Sequence, residues 1–168
     1  PLAGMMMGAT AEVLVEKYGI TRREQDEYAF LSHKRAIEAI DKGKFKEEII
    51  PINIGNKKNP NLYFETEEIP RRDISLEALS KLPPVFRENG TITAGTSSAL
   101  CDGAAALVLM DKEKAKALGL KPLAKILSHG QRGIDPVLMG LGPVKAVPIA
   151  VEKAGLTLKD IDLIELNE

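Results

Sequence analysis

A layered α/β fold is what this sequence predicts, and three observations carry the prediction. Short apolar runs at residues 104–110, 123–127 and 163–166 have the length and composition of strands buried on both faces of a parallel sheet. Helical stretches bounded by Asp, Pro and Gly alternate with these runs. The residues before them lack that rhythm, which places a domain boundary near residues 90–100.

The elements follow in order. Residues 10–18 predict a short helix, because Ala11, Leu14, Val15 and Tyr18 repeat at helical spacing and Gly19 supplies a left-handed stop. Thr21-Arg22-Arg23-Glu24 is a capping box, and the helix it opens runs to Lys42 with Gly43 ending it. Ala29, Ser32, Ala36 and Ile40 form a narrow stripe of small residues on that helix, suited to close packing. Residues 49–54 alternate weakly and predict a strand. Residues 55–61 are polar and turn-rich, and residues 65–73 are dense in charge, so this region is expected as an exposed excursion outside the core. Residues 75–81 predict one or two helical turns, stopped by Pro83-Pro84. Residues 91–95 are small and β-favouring. Asp111 caps a helix ending at Gly119. Gly142-Pro143 opens another, with Val147, Ala150, Val151 and Ala154 on one face and Gly155 as its stop.

Composition narrows the function classes. The chain has 168 residues, 24 acidic against 23 Lys plus Arg, a formal charge of -1 and a pI of about 6.3. That balance gives no electrostatic reason to expect nucleic acid or an anionic membrane as partner. No apolar run approaches the ~20 residues of a membrane span. A single Cys makes neither an internal disulfide nor a multi-thiolate metal site, and the two His are far apart, so no metal is expected. A reducing, intracellular compartment, the cytoplasm, is the default. The chain starts at Pro1 and stops at Asn167-Glu168, directly behind a predicted core strand, and is therefore expected to be an internal piece of a longer protein.

Most residues that could carry chemistry have plainer readings. Cys101 beside Asp102 resembles a nucleophile, but no His lies within 25 residues and a neighbouring carboxylate disfavours the thiolate; a packed, inert thiol is expected. His33 lies mid-helix among Lys34, Arg35 and Glu38, on a face read as solvated, and His129 in a loop is read as a local hydrogen-bonder. Gly140 and Gly142 precede a helix N-terminus, where an anion or carbonyl oxygen could approach the backbone, and ordinary turn chemistry gives the same pattern. The most informative stretch is residues 91–106, where small residues and hydroxyls crowd into a turn feeding a predicted buried strand. A flat, amide-bearing ligand could lie against such backbone, held by Ser or Thr hydroxyls; a tight strand-to-strand connection is the alternative.

Five motifs in order then give a resemblance. Met7-Gly8-Ala9-Thr10-Ala11-Glu12 resembles the MGxTAE of the thiolase family, and Thr21-Arg22 with Gln25-Asp26 and Tyr28-Ala29 resembles its SRxxQDxxA helix. Gly90-Thr91-Ile92-Thr93-Ala94-Gly95 with Ser98 and Asp102-Gly103-Ala104-Ala105 is similar to GTVTAGNASxxxDGAA. Asp135-Pro136, Met139-Gly140 and Gly142-Pro143 resemble DPxxMGxGP, and Asp160-Ile161-Asp162 with Glu165 and Asn167-Glu168 resembles DIDxxExNE. The match is collinear over essentially the whole chain. It departs from the family at Met6, where many biosynthetic members have His, at Thr96 in place of Asn and at Ala99 in place of Gly.

The resemblance implies a layered α/β/α/β/α fold of two similar halves with a loop domain inserted in the first. Residues 1–100 would be a partial, coenzyme A-binding loop domain, residues 101–120 the end of the N-terminal half, and residues 121–168 the truncated start of the C-terminal half. It implies an acyltransferase that condenses two acyl-CoAs to a 3-oxoacyl-CoA, or runs the reverse thiolysis, through an acyl-cysteine. Coenzyme A and acyl-CoA would be substrates, with no tightly bound cofactor, and the parent a homodimer or homotetramer; mitochondrial or peroxisomal placement is the alternative to the cytoplasm. The nucleophilic Cys, the acid/base Cys and the His of the family have no match here, so the chain alone is expected to be inactive. Asn167 matches the Asn that holds an oxyanion-hole water, and Ser98 the Ser that bonds the pantetheine arm. Phe86, Leu100, Met139 and Ala94 match the apolar lining of that tunnel, and Arg71 a cation near the nucleotide. A non-catalytic, thiolase-like protein binding coenzyme A or lipid, or another condensing enzyme such as a ketoacyl synthase, are the competing readings.

Overall fold

The computed structural model describes residues 3–167, leaving Pro1, Leu2 and Glu168 outside the described residues. It contains two compact units, Met6–Ala99 and Pro1–Met5 with Leu100–Glu168.

The Met6–Ala99 unit is built on two helices. Helix α1 spans Met7–Tyr18 and stops where Gly19 takes a left-handed φ of 65°. Its buried positions are Thr10 and Glu12, whereas Leu14 and Val15 are half-buried and Tyr18 is exposed. The apolar stripe predicted for this helix is therefore not its most buried face. Helix α2, Arg22–Asp41, has the predicted capping box in full: the Glu24 amide donates to Thr21 Oγ1, and the Thr21 amide donates to Glu24 Oε2 at 2.7 Å. Of the small-residue stripe, Ala29 is buried, Ala36 and Ile40 are half-buried and Ser32 is exposed.

Helix α3, Leu76–Ser80, is capped by Ser75 and packs against α2, burying Leu79. Arg22 fixes that contact. Its guanidinium pairs with the buried Asp26 carboxylate one turn along α2 and donates to the Leu79 carbonyl. The strand expected at 49–54 forms over two residues only: β1, Ile52–Asn53, pairs antiparallel with β2, Tyr63–Phe64. The excursion is exposed as expected, but β2 inside it was not predicted, since two residues carry too little pattern to register.

The second unit holds α4 (Lys112–Ala117), a 3-10 segment over Pro136–Leu141, α5 (Gly142–Lys153) and a 3-10 turn at Leu158–Asp160. Asp111 caps α4 by accepting from the Glu113 and Lys114 amides, as its position predicted. Ala146, Ile149, Ala150 and Val151 form the half-buried side of α5 and Ala154 just past its end is half-buried too, while Val147, expected on that face, is exposed. The Ser128 hydroxyl donates to the Ala150 carbonyl and ties the preceding segment to the helix.

The three strands read from residues 104–110, 123–127 and 163–166 are a correction. All three runs are exposed and none is assigned as strand. An apolar run becomes a buried strand only when neighbouring strands take up its N–H and C=O groups. Among the described residues the one sheet is the β1–β2 pair, so these runs have no ladder to join. No helix among the described residues is long and apolar enough to cross a membrane.

Candidate functional site

The stretch singled out by its hydroxyls and glycines lies in the Met6–Ala99 unit, and its geometry starts at residue 84. Pro84 bridges Thr93, and the Val85 amide donates to the Ile92 carbonyl at 2.9 Å. Glu12 reaches this strand-like pair from α1. Its Oε1 accepts from the Thr91 and Ile92 amides, each at 2.8 Å, and its Oε2 from the Thr91 hydroxyl at 3.2 Å. Gln25 of α2 donates to the same Thr91 Oγ1 at 2.9 Å. Thr93 is fully buried and organises the following turn. Its amide donates to Thr96 Oγ1, its hydroxyl accepts from the Gly95 amide, and its carbonyl accepts from Ser97 Oγ at 2.7 Å. The hydroxyls of Thr93, Thr96 and Ser97 are thus engaged within the turn. Ser98, the next residue, is exposed, as is Ala94.

Phe86 is half-buried, its ring against Gly8 in the first turn of α1; a Cβ on Gly8 would run into that ring. Arg71 is exposed. Its backbone amide donates to His33 Nδ1 at 3.1 Å, so His33 is a backbone anchor as well as a half-buried helix residue, which corrects its reading as merely solvated. Arg72 is paired with Asp41, and that hydrogen bond is the main cause holding the Asp41 carboxyl below the usual carboxylate range. Among the described residues no acidic side chain pairs with the Arg71 guanidinium, which leaves it available to an anion.

Leu100, Met139 and Asn167 belong to the other unit and are all exposed there. Met139 lies in the 3-10 segment, its carbonyl accepting from the Gly142 amide. Asn167 is the last described residue of its motif, and Glu168 lies outside the described residues. Cys101 is exposed rather than packed, a correction: it follows the exposed Leu100 in a segment without secondary structure, where nothing covers it. His129 is exposed, and its backbone carbonyl faces Lys153 Nζ at 3.4 Å. Among the described residues no cluster of three or more His, Cys, Asp or Glu side chains could hold a metal ion.

The sequence alone missed Glu12, Gln25 and His33 as working residues. Glu12 and Gln25 were in hand only as letters of a motif. The contact that gives Glu12 its role spans 79 residues of chain, and no local spacing reports it.

Comparison with known proteins decides the family. The description of the thiolase N-terminal domain matches residues 2–113, and that of the thiolase C-terminal domain matches residues 120–168. This chain belongs to the thiolase family. It is 53% identical over 162 residues to an acetyl-CoA acetyltransferase of Pseudomonas aeruginosa, a match covering 96% of this chain and 41% of that protein. The structure of acetyl-CoA acetyltransferase from Syntrophomonas wolfei superposes with a TM-score of 0.89 at 46% identity, covering 96% of this chain and 40% of that one. Human mitochondrial 3-ketoacyl-CoA thiolase in complex with CoA superposes with a TM-score of 0.83 at 42% identity, over 94% of this chain and 38% of that one. The fold is thus thiolase-like α/β, and the chain spans about two fifths of the length of these relatives.

Proposed function

We propose that this thiolase-family chain supplies the coenzyme A side of an acyltransferase that joins two acyl-CoAs into a 3-oxoacyl-CoA, or runs the reverse thiolysis. The observation that carries the reading is the collinear family match, together with a structural neighbour whose complex contains CoA. The exposed Ser98 at the end of a hydroxyl-closed turn supports it, since that hydroxyl is free to bond an amide of the pantetheine arm. Phe86 and Ala94 furnish apolar lining for the arm; Leu100 and Met139 are assigned that role by their place in the family's motifs. Arg71 offsets phosphate charge at the nucleotide end.

Asn167 supports the chemistry by holding a water toward the thioester oxygen as negative charge develops there. Residues 1–100 act as the coenzyme-binding loop domain, 101–120 close the N-terminal half and 121–168 open the C-terminal half. The acyl-accepting cysteine, the acid/base cysteine and the activating histidine have no match in this chain, and the exposed Cys101 stands where the family commonly has Asn. The working protein is a cytoplasmic homodimer or homotetramer.

The test is an exchange of segments. This chain replaces the matching stretch of the Pseudomonas aeruginosa acetyl-CoA acetyltransferase, and cleavage of acetoacetyl-CoA is followed by loss of its absorbance. The expected result is an active hybrid whose Ser98→Ala variant has a raised KM for CoA. Its Asn167→Ala variant should lose roughly 10²–10³ in kcat, the usual cost of an oxyanion donor. The 168-residue chain by itself should cleave nothing. Cleavage by the isolated chain, or a hybrid indifferent to Ser98→Ala, overturns the assignment of roles.

A further inference from the structure

We infer that Glu12 is a positioning residue for the coenzyme-binding turn, acting on Ser98 through the backbone of residues 91–97; the ligand side of this inference rests on the function proposed above. A carboxylate with 2% of its residue exposed is costly to bury unless its oxygens are satisfied. Here they are, by three donors from one segment: two successive backbone amides and the Thr91 hydroxyl. Bonds to an ionised acceptor are about twice as strong as neutral ones, and two of these terminate on peptide groups, so they fix backbone.

The neighbouring residues are shaped to the same purpose. Gly90 lies so close to the Glu12 carboxylate that any Cβ there would overlap it, so the chain passes the carboxylate only because residue 90 has no side chain. Gln25 holds the Thr91 hydroxyl from the far side, which fixes the direction in which that hydroxyl points. Beyond Ile92 the register passes without a gap into the Thr93 turn, whose bonds to Gly95, Thr96 and Ser97 end one residue before Ser98. Pro84 and Val85 hold the opposite edge of the same short ladder, next to Phe86.

Glu12 touches no reacting atom in this arrangement. Its contribution is to keep residues 94–98 in one conformation before ligand arrives, so that the ordering is not charged against binding. A role confined to holding α1 in place would lower stability and leave affinity alone; a positioning role changes affinity in protein that is still folded.

The experiment uses the full chain, labelled with 15N and titrated with CoA, as wild type, Glu12→Gln, Gly90→Ala and Ser98→Ala. Glu12→Gln keeps the side chain's shape and removes the charge. Gly90→Ala displaces the carboxylate without removing it, and so serves if the first variant does not fold. Well below the melting temperature, both are expected to raise the Kd for CoA roughly tenfold, as charge-assisted bonds give way to weaker ones, and to speed amide exchange at residues 94–98. Ser98→Ala should raise Kd with exchange unchanged. Wild-type Kd and exchange in folded Glu12→Gln and Gly90→Ala overturn the inference, while a raised Kd in Ser98→Ala leaves the function standing. If the wild-type chain shows no CoA-dependent shifts, the proposed function is decided by the hybrid enzyme's kinetics instead. Exchange at residues 94–98 then decides the positioning role alone, with faster exchange in the variants supporting it and unchanged exchange overturning it.

Discussion

Arg72 grips Asp41 with both ends of its guanidinium: Nη1 donates to Oδ2 at 3.1 Å and Nη2 to Oδ1 at 2.7 Å. Together with the bond from the Arg71 amide to His33 Nδ1, this pair fastens residues 71–72 along α2 at two points. Of two adjacent arginines one is paired with a carboxylate, and among the described residues the other has no acidic partner.

The pair gives a pH prediction. The Arg72 hydrogen bond holds the Asp41 carboxyl below its ordinary value; loss of water around the carboxyl opposes it, and the Arg72 charge adds a smaller lowering. A group depressed in the folded chain contributes stability that is complete above its unfolded value, near pH 4. That stability is lost as pH falls through the lower, folded value. A carboxyl-carbon NMR titration should therefore place Asp41 below the usual carboxylate range, and Arg72→Ala should return it there. An Asp41 that titrates normally in the unaltered chain refutes the pairing. Both side chains are exposed, so Asp41→Asn should barely shift the melting temperature.

The capping box of α2 gives a stability prediction. Thr21 Oγ1 accepts from the Glu24 amide at 3.2 Å, and removing the hydroxyl takes that acceptor away. Thr21→Ala should cost about 1 kcal/mol in urea unfolding. The Glu24 carboxyl is held low chiefly by the hydrogen bond from the Thr21 backbone amide. That amide survives Thr21→Ala, so most of the Glu24 depression should survive as well; its complete loss would show that the side-chain bond, not the backbone one, is responsible.

A sign reversal is expected between Gly8 and Phe86. Gly8→Ala inside α1 gains about 1 kcal/mol of helix propensity, but the new methyl meets the Phe86 ring, and overpacking costs about 1–3 kcal/mol. The clash should win, leaving Gly8→Ala net destabilising. In a Phe86→Ala background the ring is gone, and the same substitution should stabilise. A double-mutant cycle reads this coupling directly, and equal effects in both backgrounds would remove Phe86 from contact with α1.

What the sequence made legible divides along chain distance. The caps at Thr21 and Asp111 and the left-handed stops at Gly19 and Gly155 were readable because donor and acceptor lie within a few residues. Motif order named Ser98, Phe86 and Asn167 as site residues through resemblance alone. The clamp of Glu12 on Thr91 and the anchor of His33 on Arg71 bridge 79 and 38 residues, and periodicity carries no information at that range. Burial failed for the same reason. Residues 104–110 have the composition of a core strand, yet a core is made by what lies opposite, and composition cannot say whether anything does.

Those exposed runs give the last prediction. Leu107 and Val108 are each 87% exposed and Leu109 is 72% exposed, side by side in an uncharged, apolar window. Leu123, Ile126 and Leu163 are exposed as well. Unpaired strand-like backbone with apolar side chains is a template for association with another chain. The isolated chain should therefore bind a hydrophobic dye strongly and grow in apparent mass with concentration in light scattering. Val108→Lys should suppress both by placing a charge in the window. It should leave amide exchange at Thr91 and Ile92 unchanged, because those amides are held by Glu12 within the Met6–Ala99 unit. A chain that stays monomeric at high concentration without the lysine would show that residues 104–110 find cover within the chain itself.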